Sequence, residues 1–203
     1  MLLDKRPPFK YLLSKVKMEL VYVSVTALVV YYITTAFKYV IPDMPLPIPA
    51  FLGTAISVVL SFKLSQSYER WWEARKIWGS IVNDSRNFII QLKTFLDDKH
   101  ESTVKQLAFR QIAWSYSLGQ TLRGLNPMDN IEQYLSNDDL QRLDKHTNKP
   151  LAILQLNAEA LRKLREEGAL ELFSLVQLNT TIVNLTNSMG MAERIKSTVF
   201  PVT

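Results

Sequence analysis

The chain contains no cysteine, only two histidines and only six glycines among its 203 residues. Without cysteine, disulfides, thiolate metal sites and cysteine nucleophiles are excluded. His100 and His146 each lie in a polar stretch with no second histidine at ligand spacing. We therefore predict that both are solvated surface residues and not metal ligands. The glycines form no phosphate-binding cluster. We therefore expect no metal, no cofactor and no enzymatic activity, because no convergent set of catalytic groups is visible.

Charge is missing from one part of the chain and frequent in the rest. The run Leu20–Phe37 holds 18 residues without a charge, whereas charges recur every few residues from Lys63 onward. A run of this length can span a bilayer as a helix. The net charge of +5 does not indicate nucleic-acid binding. Five basic residues precede the first apolar run, where topology explains them, and the others alternate with acids.

A proline-rich segment follows the first apolar run. Four prolines within eight residues predict a turn, and the second uncharged run, Ala50–Phe62, has 13 residues. We predict an all-α membrane protein whose residues 1–65 form a membrane hairpin. Its parts are an N-terminal segment, a first membrane helix at about 20–41, a loop at 42–49 and a second membrane helix at about 50–65.

The remaining residues, 66–203, predict a helical region in water. The second membrane helix should continue as one helix to about residue 96, because residues 63–96 contain no proline and only one glycine. Cap and breaker signals then predict helices at about 103–122, 129–135, 138–145, 148–167 and 170–189, the last ending at Gly190.

Basic residues on both sides of the hairpin set its predicted orientation. Lysine and arginine precede the first apolar run and follow the second, whereas the short loop carries Asp43 with Lys38 at its edge. The two apolar runs predict a multi-pass protein of the cell (inner) membrane, and the positive-inside rule orients it. Its N-terminus and the residues after about 63 should be cytoplasmic. Trp71, Trp72 and Trp78 should lie near the membrane–water boundary, where tryptophan anchors helices.

Thr54, Val58 and Phe62 are spaced by four residues in the second apolar run, so they share one helical face. Such a stripe has two interpretations. It can pack against another membrane helix, aided by small neighbours such as Gly53, or it can line a pore in an assembly of several copies. Spacing alone favours helix packing.

Two longer motifs point to a family. Residues 68–79 read Tyr-Glu-Arg-Trp-Trp-Glu-Ala-Arg-Lys-Ile-Trp-Gly, and Asn-Asp-Ser-Arg follows at 83–86. Residues 192–201 read Ala-Glu-Arg-Ile-Lys-Ser-Thr-Val-Phe-Pro, where the family has Cys in place of Ala192 and Pro in place of Val199. With these motifs the chain resembles the bacterial branch of the bestrophin family of ion channels. The motif residues singled out are Arg70, Trp71, Trp72, Asp84 and Glu193.

The resemblance implies a homopentamer that conducts monovalent ions passively through one central pathway in the lipid bilayer. It implies that Thr54, Val58 and Phe62 form an apolar neck, and this shifts the preferred interpretation of the stripe to pore lining. It also suggests Leu172 for a second constriction at the cytoplasmic exit, with an ordinary core leucine as the alternative. Chloride or other anion conduction is expected, and cation selectivity stays open because the family contains both kinds.

The predicted partners are further copies of the chain, the lipid bilayer and the permeant ions, without nucleic acid. The family's last two membrane helices have no counterpart in these 203 residues. A non-conducting, membrane-anchored helical assembly or interaction protein is therefore the alternative to a channel.

Overall fold

Residues 9–40 and 45–198 are described by a computed structural model, and all regular structure in these two ranges is helical. The all-α prediction is therefore confirmed. The six α-helices are α1 (Phe9–Ala36), α2 (Pro47–Phe95), α3 (Glu101–Arg123), α4 (Asn137–Asp144), α5 (Lys149–Glu166) and α6 (Leu172–Ser197), and two short 3-10 helices lie at Asp98–His100 and Glu132–Tyr134. The chain divides into two compact units, one up to Ser61 and one from Phe62.

The first unit contains α1 and the beginning of α2, and the large apolar side chains that the structure describes there are exposed. Leu13–Ala36 and a window within α2 are long and apolar enough to cross a membrane, and none of the residues in these windows is buried within the chain. Water does not tolerate a continuous apolar surface of this extent. These helices therefore need lipid or another protein chain around them.

The first helix is longer at its N-terminal side than the predicted membrane span at about 20–41, which stays a prediction. The structure describes α1 from Phe9, because Lys10, Lys15 and Lys17 are good helix formers that continue the helix before the apolar run. It ends at Ala36, and residues 37–40 form a turn. The predicted end at residue 41 and the first part of the loop, 42–44, lie outside the described residues.

The second helix begins inside the predicted loop. Pro47 and Pro49 occupy its first turn, where backbone N–H groups have no acceptor within the helix, so proline costs no hydrogen bond there. From Pro47 the helix is uninterrupted to Phe95. The prediction that the second membrane helix continues far beyond the apolar run is confirmed.

The second unit has a true hydrophobic core. On α2 the buried side chains are Ile77, Ile81, Phe88 and Leu92, whose spacing defines one face of a helix. Trp114 of α3, Ile153 of α5 and Leu178 of α6 are fully buried in the same core. The later half of α2 is thus packed in the way a soluble helical protein packs, although its first half is not.

Two helix ends in the second unit follow the predicted cap signals, and two other predictions are wrong. Gly124 adopts a left-handed conformation (φ 74°) directly after α3, and the Asn148 side chain accepts a hydrogen bond from the Leu151 N–H at 3.1 Å. The predicted end of α6 at Gly190 is wrong, since the helix continues through it to Ser197. The segment predicted as a helix at 129–135 is reduced to the 3-10 turn Glu132–Tyr134.

A buried ion pair joins α3 to α4. Arg110 donates to both carboxylate oxygens of Asp139, at 3.0 and 2.7 Å, and to the Leu156 carbonyl oxygen at 3.2 Å. Asp139 also closes a capping box with Ser136. Burial opposes ionisation of Asp139, but the hydrogen bonds and charge of Arg110 outweigh it, so the pKa of this carboxyl lies below its ordinary value.

This pair predicts an acid-dependent contribution to stability. Because the pKa of Asp139 is lowered on folding, its contribution is complete above the ordinary aspartate range and is lost as pH falls through the lowered pKa. Asp139→Asn should cost about 3 kcal/mol or more at neutral pH, since it leaves Arg110 buried without a counter-charge. Thermal unfolding of both proteins across pH measures this. The difference should shrink in acid, and exposed Asp144→Asn is the control. A difference that does not change with pH would contradict the assignment.

Candidate functional site

Thr54, Val58 and Phe62 all lie in α2 and all are exposed. Val58 keeps 50% of its surface exposed and Phe62 67%. The Thr54 hydroxyl donates to the Ala50 carbonyl oxygen at 2.9 Å, so its donor is already used by its own helix. The stripe therefore presents apolar groups and one hydroxyl oxygen, without a titratable side chain. Its pore-lining role stays a prediction at this point.

Leu172 is the first residue of α6 and is 57% exposed. The alternative that Leu172 is a core leucine is therefore wrong. Three and six residues later, Leu175 packs partly against the core and Leu178 is fully buried, so these two take the structural role. An exposed position at a helix start is compatible with a constriction between copies, which stays a prediction.

The two motif segments meet in the structure. Arg70 on α2 donates to the Ile195 carbonyl oxygen near the end of α6 at 3.0 Å. Glu73, one turn further along α2, accepts a hydrogen bond from Arg194 at 3.2 Å. These partners are 125 and 121 residues apart in the sequence. We define Arg70, Glu73, Arg194 and Ile195 as the motif junction.

The motif junction borders a cavity of about 250 Å³, which is also lined by Gln66, Glu69 and Thr198. Its walls carry two guanidinium groups and two carboxylates, and the last carbonyl groups of α6 lie beside it. A helix C-terminus carries partial negative charge, so arginine is favourable there. No group of three potential metal-binding side chains occurs within residues 9–40 and 45–198. The junction is thus built for internal ion pairing and capping.

Aromatic rings cluster on the same part of α2. The ring centres of Tyr68, Trp71 and Trp72 lie 5.8 to 6.3 Å apart, and the Arg75 guanidinium lies 5.9 Å from the Trp71 ring centre. Tyr68 is 60% exposed, Trp71 54% and Trp72 45%. Such exposed aromatic and cationic groups directly after an apolar run are typical of a membrane–water boundary.

Comparison with known proteins decides the family. The family model described as Bacterial/Fungal Bestrophin protein matches residues 11–203. The chain belongs to the bacterial and fungal bestrophin family. It is 33% identical over 150 residues to the voltage-dependent anion channel-forming protein YneE of Escherichia coli K12, covering 74% of this chain and 49% of that protein. It is 31% identical over 152 residues to the corresponding protein RSc3414 of Ralstonia nicotianae, with 74% and 49% covered. This bestrophin chain spans about half the length of the curated relatives it matches.

Solved structures support the same fold. A crystal structure of a bacterial bestrophin homolog from Klebsiella pneumoniae, carrying one substitution, superposes with a TM-score of 0.84 at 24% identity. The match covers 92% of this chain and 69% of that one. A crystal structure described as a membrane protein gives 0.85 at 23% identity. The family, the fold and the two apolar helices together make this bestrophin a membrane protein.

Two further motif residues of the bestrophin chain lie away from the cavity lining. Asp84 on α2 is half-buried, and burial raises the pKa of its carboxyl above the ordinary value. The next residue, Ser85, accepts a hydrogen bond from Gln111 of α3 at 2.9 Å, which ties this stretch of α2 to α3. Glu193 on α6 is also half-buried. Their structural role stays a prediction.

Sequence reasoning missed the junction as a unit. Both family-like motifs were recognised, but Arg70 and Glu73 in the first were not paired with Ile195 and Arg194 in the second. The available signal was the presence of oppositely charged residues in both family-like motifs, but nothing in a single sequence pairs positions so far apart.

The exposed tryptophans generate a test of membrane depth. Single-tryptophan variants that keep only Trp71 or only Trp72 should be quenched by brominated lipids more strongly when the bromine is near the head group than when it is deep. A variant that keeps only Trp114, which is fully buried in the core, is the control and should be quenched by neither. Quenching of Trp71 and Trp72 as weak as that of Trp114 would contradict the interfacial assignment.

Proposed function

We propose that this chain is a subunit of a homopentameric anion channel, which conducts passively through a hydrophobic neck formed by Thr54, Val58 and Phe62. The observation that carries the proposal is the exposed, uncharged stripe on a continuous α2 in a bestrophin chain. The names of the relatives, which are anion channel-forming proteins, favour anion over cation conduction. Nothing in this mechanism needs catalysis or a cofactor.

The chemistry of the stripe suggests how the neck would act. From Pro47 to Phe62 the helix carries no charged residue, so a ring of charge is not available for selection there. Eight residues separate Thr54 from Phe62, which is about 12 Å of helix at 1.5 Å per residue. A narrow apolar passage of this length resists ions because they must shed water, and small changes in its width control wetting.

Five copies would give the stripe its function. A single helix encloses no pathway, but copies arranged around one axis can each contribute the same face. The uncovered apolar surface of α1 and early α2 supports assembly in lipid, because no core within the chain buries it. Leu172, exposed at the start of α6, is the proposed second constriction.

We further propose that residues 1–65 form the membrane hairpin in the inner membrane, and that the N-terminus and the residues after about 63 are cytoplasmic. Lys10, Lys15 and Lys17 stand near the start of α1, and Lys63 and Arg70 follow the apolar part of α2. This distribution supports the orientation by the positive-inside rule.

A non-conducting, membrane-anchored helical assembly is the second candidate. It is favoured by one observation, namely that the apolar surface of α1 and early α2 is uncovered, since a neighbouring helix can cover such a surface as well as lipid can. In this case α1 and α2 would serve as anchors, and the stripe would pack against a neighbouring helix in place of water and ions.

Ion flux from liposomes that contain the full chain separates the two candidates. Phe62→Ala should raise flux by roughly two- to tenfold because it widens and wets the neck, and Val58→Trp should abolish flux by filling it. Leu60→Ala is the matched control, since residue 60 lies on the opposite side of α2 from residue 58. Flux that is absent from well-folded oligomer, or equal in all four proteins, would contradict the neck assignment.

A further inference from the structure

The part of α2 directly after the neck stripe has almost no packing of its own. From Phe62 to Lys76 every side chain is exposed except that of Glu73, which is half-buried. The first core residue of α2 is Ile77. Four helical turns therefore separate Phe62 from the first core residue of α2, and apolar burial within the chain does not fix the position of this stretch.

The motif junction supplies polar contacts in this stretch. Arg70 and Glu73 are one turn apart on α2, and both reach the last turn of α6. Arg70 caps a carbonyl group that the helix itself leaves unsatisfied, which is a favourable use of arginine at a helix C-terminus. Glu73 accepts a hydrogen bond from Arg194. One contact therefore has its donor on α2 and the other has its donor on α6.

The last turn of α6 is itself held from a third side. Lys196 donates to the Thr121 carbonyl oxygen near the end of α3. Through α3, which carries the fully buried Leu107, Trp114 and Leu118, this contact reaches the hydrophobic core. Because Ile195 also packs partly against the core, the end of α6 offers a position against which the exposed stretch of α2 can be held.

We propose that Arg70, Glu73 and Arg194 are positioning residues that hold the exposed stretch of α2 on the end of α6 and thereby control ion flow without lining the neck. This rests on the proposed channel function. Arg70 follows Phe62 by eight residues, about two helical turns, and α2 is uninterrupted between them. The Glu73–Arg194 pair is weak because both side chains are largely exposed, which suits an attachment that opens and closes.

Two readouts on the full chain in liposomes test this, and one of them does not depend on conduction. Because the chain has no cysteine, a nitroxide on Ser67→Cys reports the mobility of the exposed stretch alone. Arg70→Gln, Glu73→Gln and Arg194→Gln should each increase that mobility and change ion flux by roughly two- to fivefold, the size expected for one exposed charge pair. Arg70→Lys should restore part of both effects.

Exchanging the charges of Glu73 and Arg194 tests their pairing most directly. Glu73→Arg combined with Arg194→Glu should return mobility and flux toward wild type, whereas either change alone should not. Arg162→Gln, which breaks the exposed pair with Glu166 on α5, is the control and should change neither readout.

The outcomes are distinct. If wild type conducts and the variants change mobility but not flux, the contacts are merely structural and the proposal is overturned. If neither readout changes, it is overturned as well. If wild type does not conduct, the channel function fails by itself, and with it the control of ion flow, while increased mobility with charge-exchange rescue still supports the attachment of α2 to α6.

Discussion

The apolar surface of α1 and of early α2 must leave water, and the chain buries none of it in the two candidate spans. Burial of apolar area stabilises by about 25 cal/mol per Å², so a surface of this size cannot be left in water without a large cost. Lipid and further copies of the chain are the partners that can cover it. The membrane location follows from this one constraint, and the same uncovered surface supports the proposed assembly.

Helix α2 combines two environments in one uninterrupted element. Its first part carries no charge and no buried residue, and its last part, from Ile77, packs in a core with α3, α5 and α6. The stretch between these parts carries aromatic rings and the motif junction. The two family motifs therefore have a physical explanation, since one supplies Arg70 and Glu73 and the other supplies their partners on α6. Control of ion flow by polar contacts beside an apolar neck is consistent with a channel that selects without a ring of charge.

Much of the fold could be predicted because it depends on local signals. Asn148 with Pro150, and Gly124 in a left-handed conformation, act within one turn of the residues they cap, so the sequence contains the whole interaction. The predicted end of α6 at Gly190 was wrong for two reasons. A glycine within a helix lowers stability by only about 1 kcal/mol, and contacts from α2 and α3 stabilise the turn beyond it. The predicted loop at 42–49 extended too far, since α2 begins at Pro47 and proline is tolerated in the first turn of a helix. The stripe was visible by spacing, whereas the motif junction joins residues more than 120 positions apart and has no local signal.

The central claim is that identical copies surround one axis lined by Val58 and Phe62, and the mass of the purified assembly tests it most directly. Native mass spectrometry from detergent, after removal of bound lipid, measures this mass without assuming conduction. We expect about 117 kDa, five times the 23.4 kDa of the chain. A monomer or dimer of well-folded protein would contradict it, because such an assembly leaves the stripe with no pathway to line.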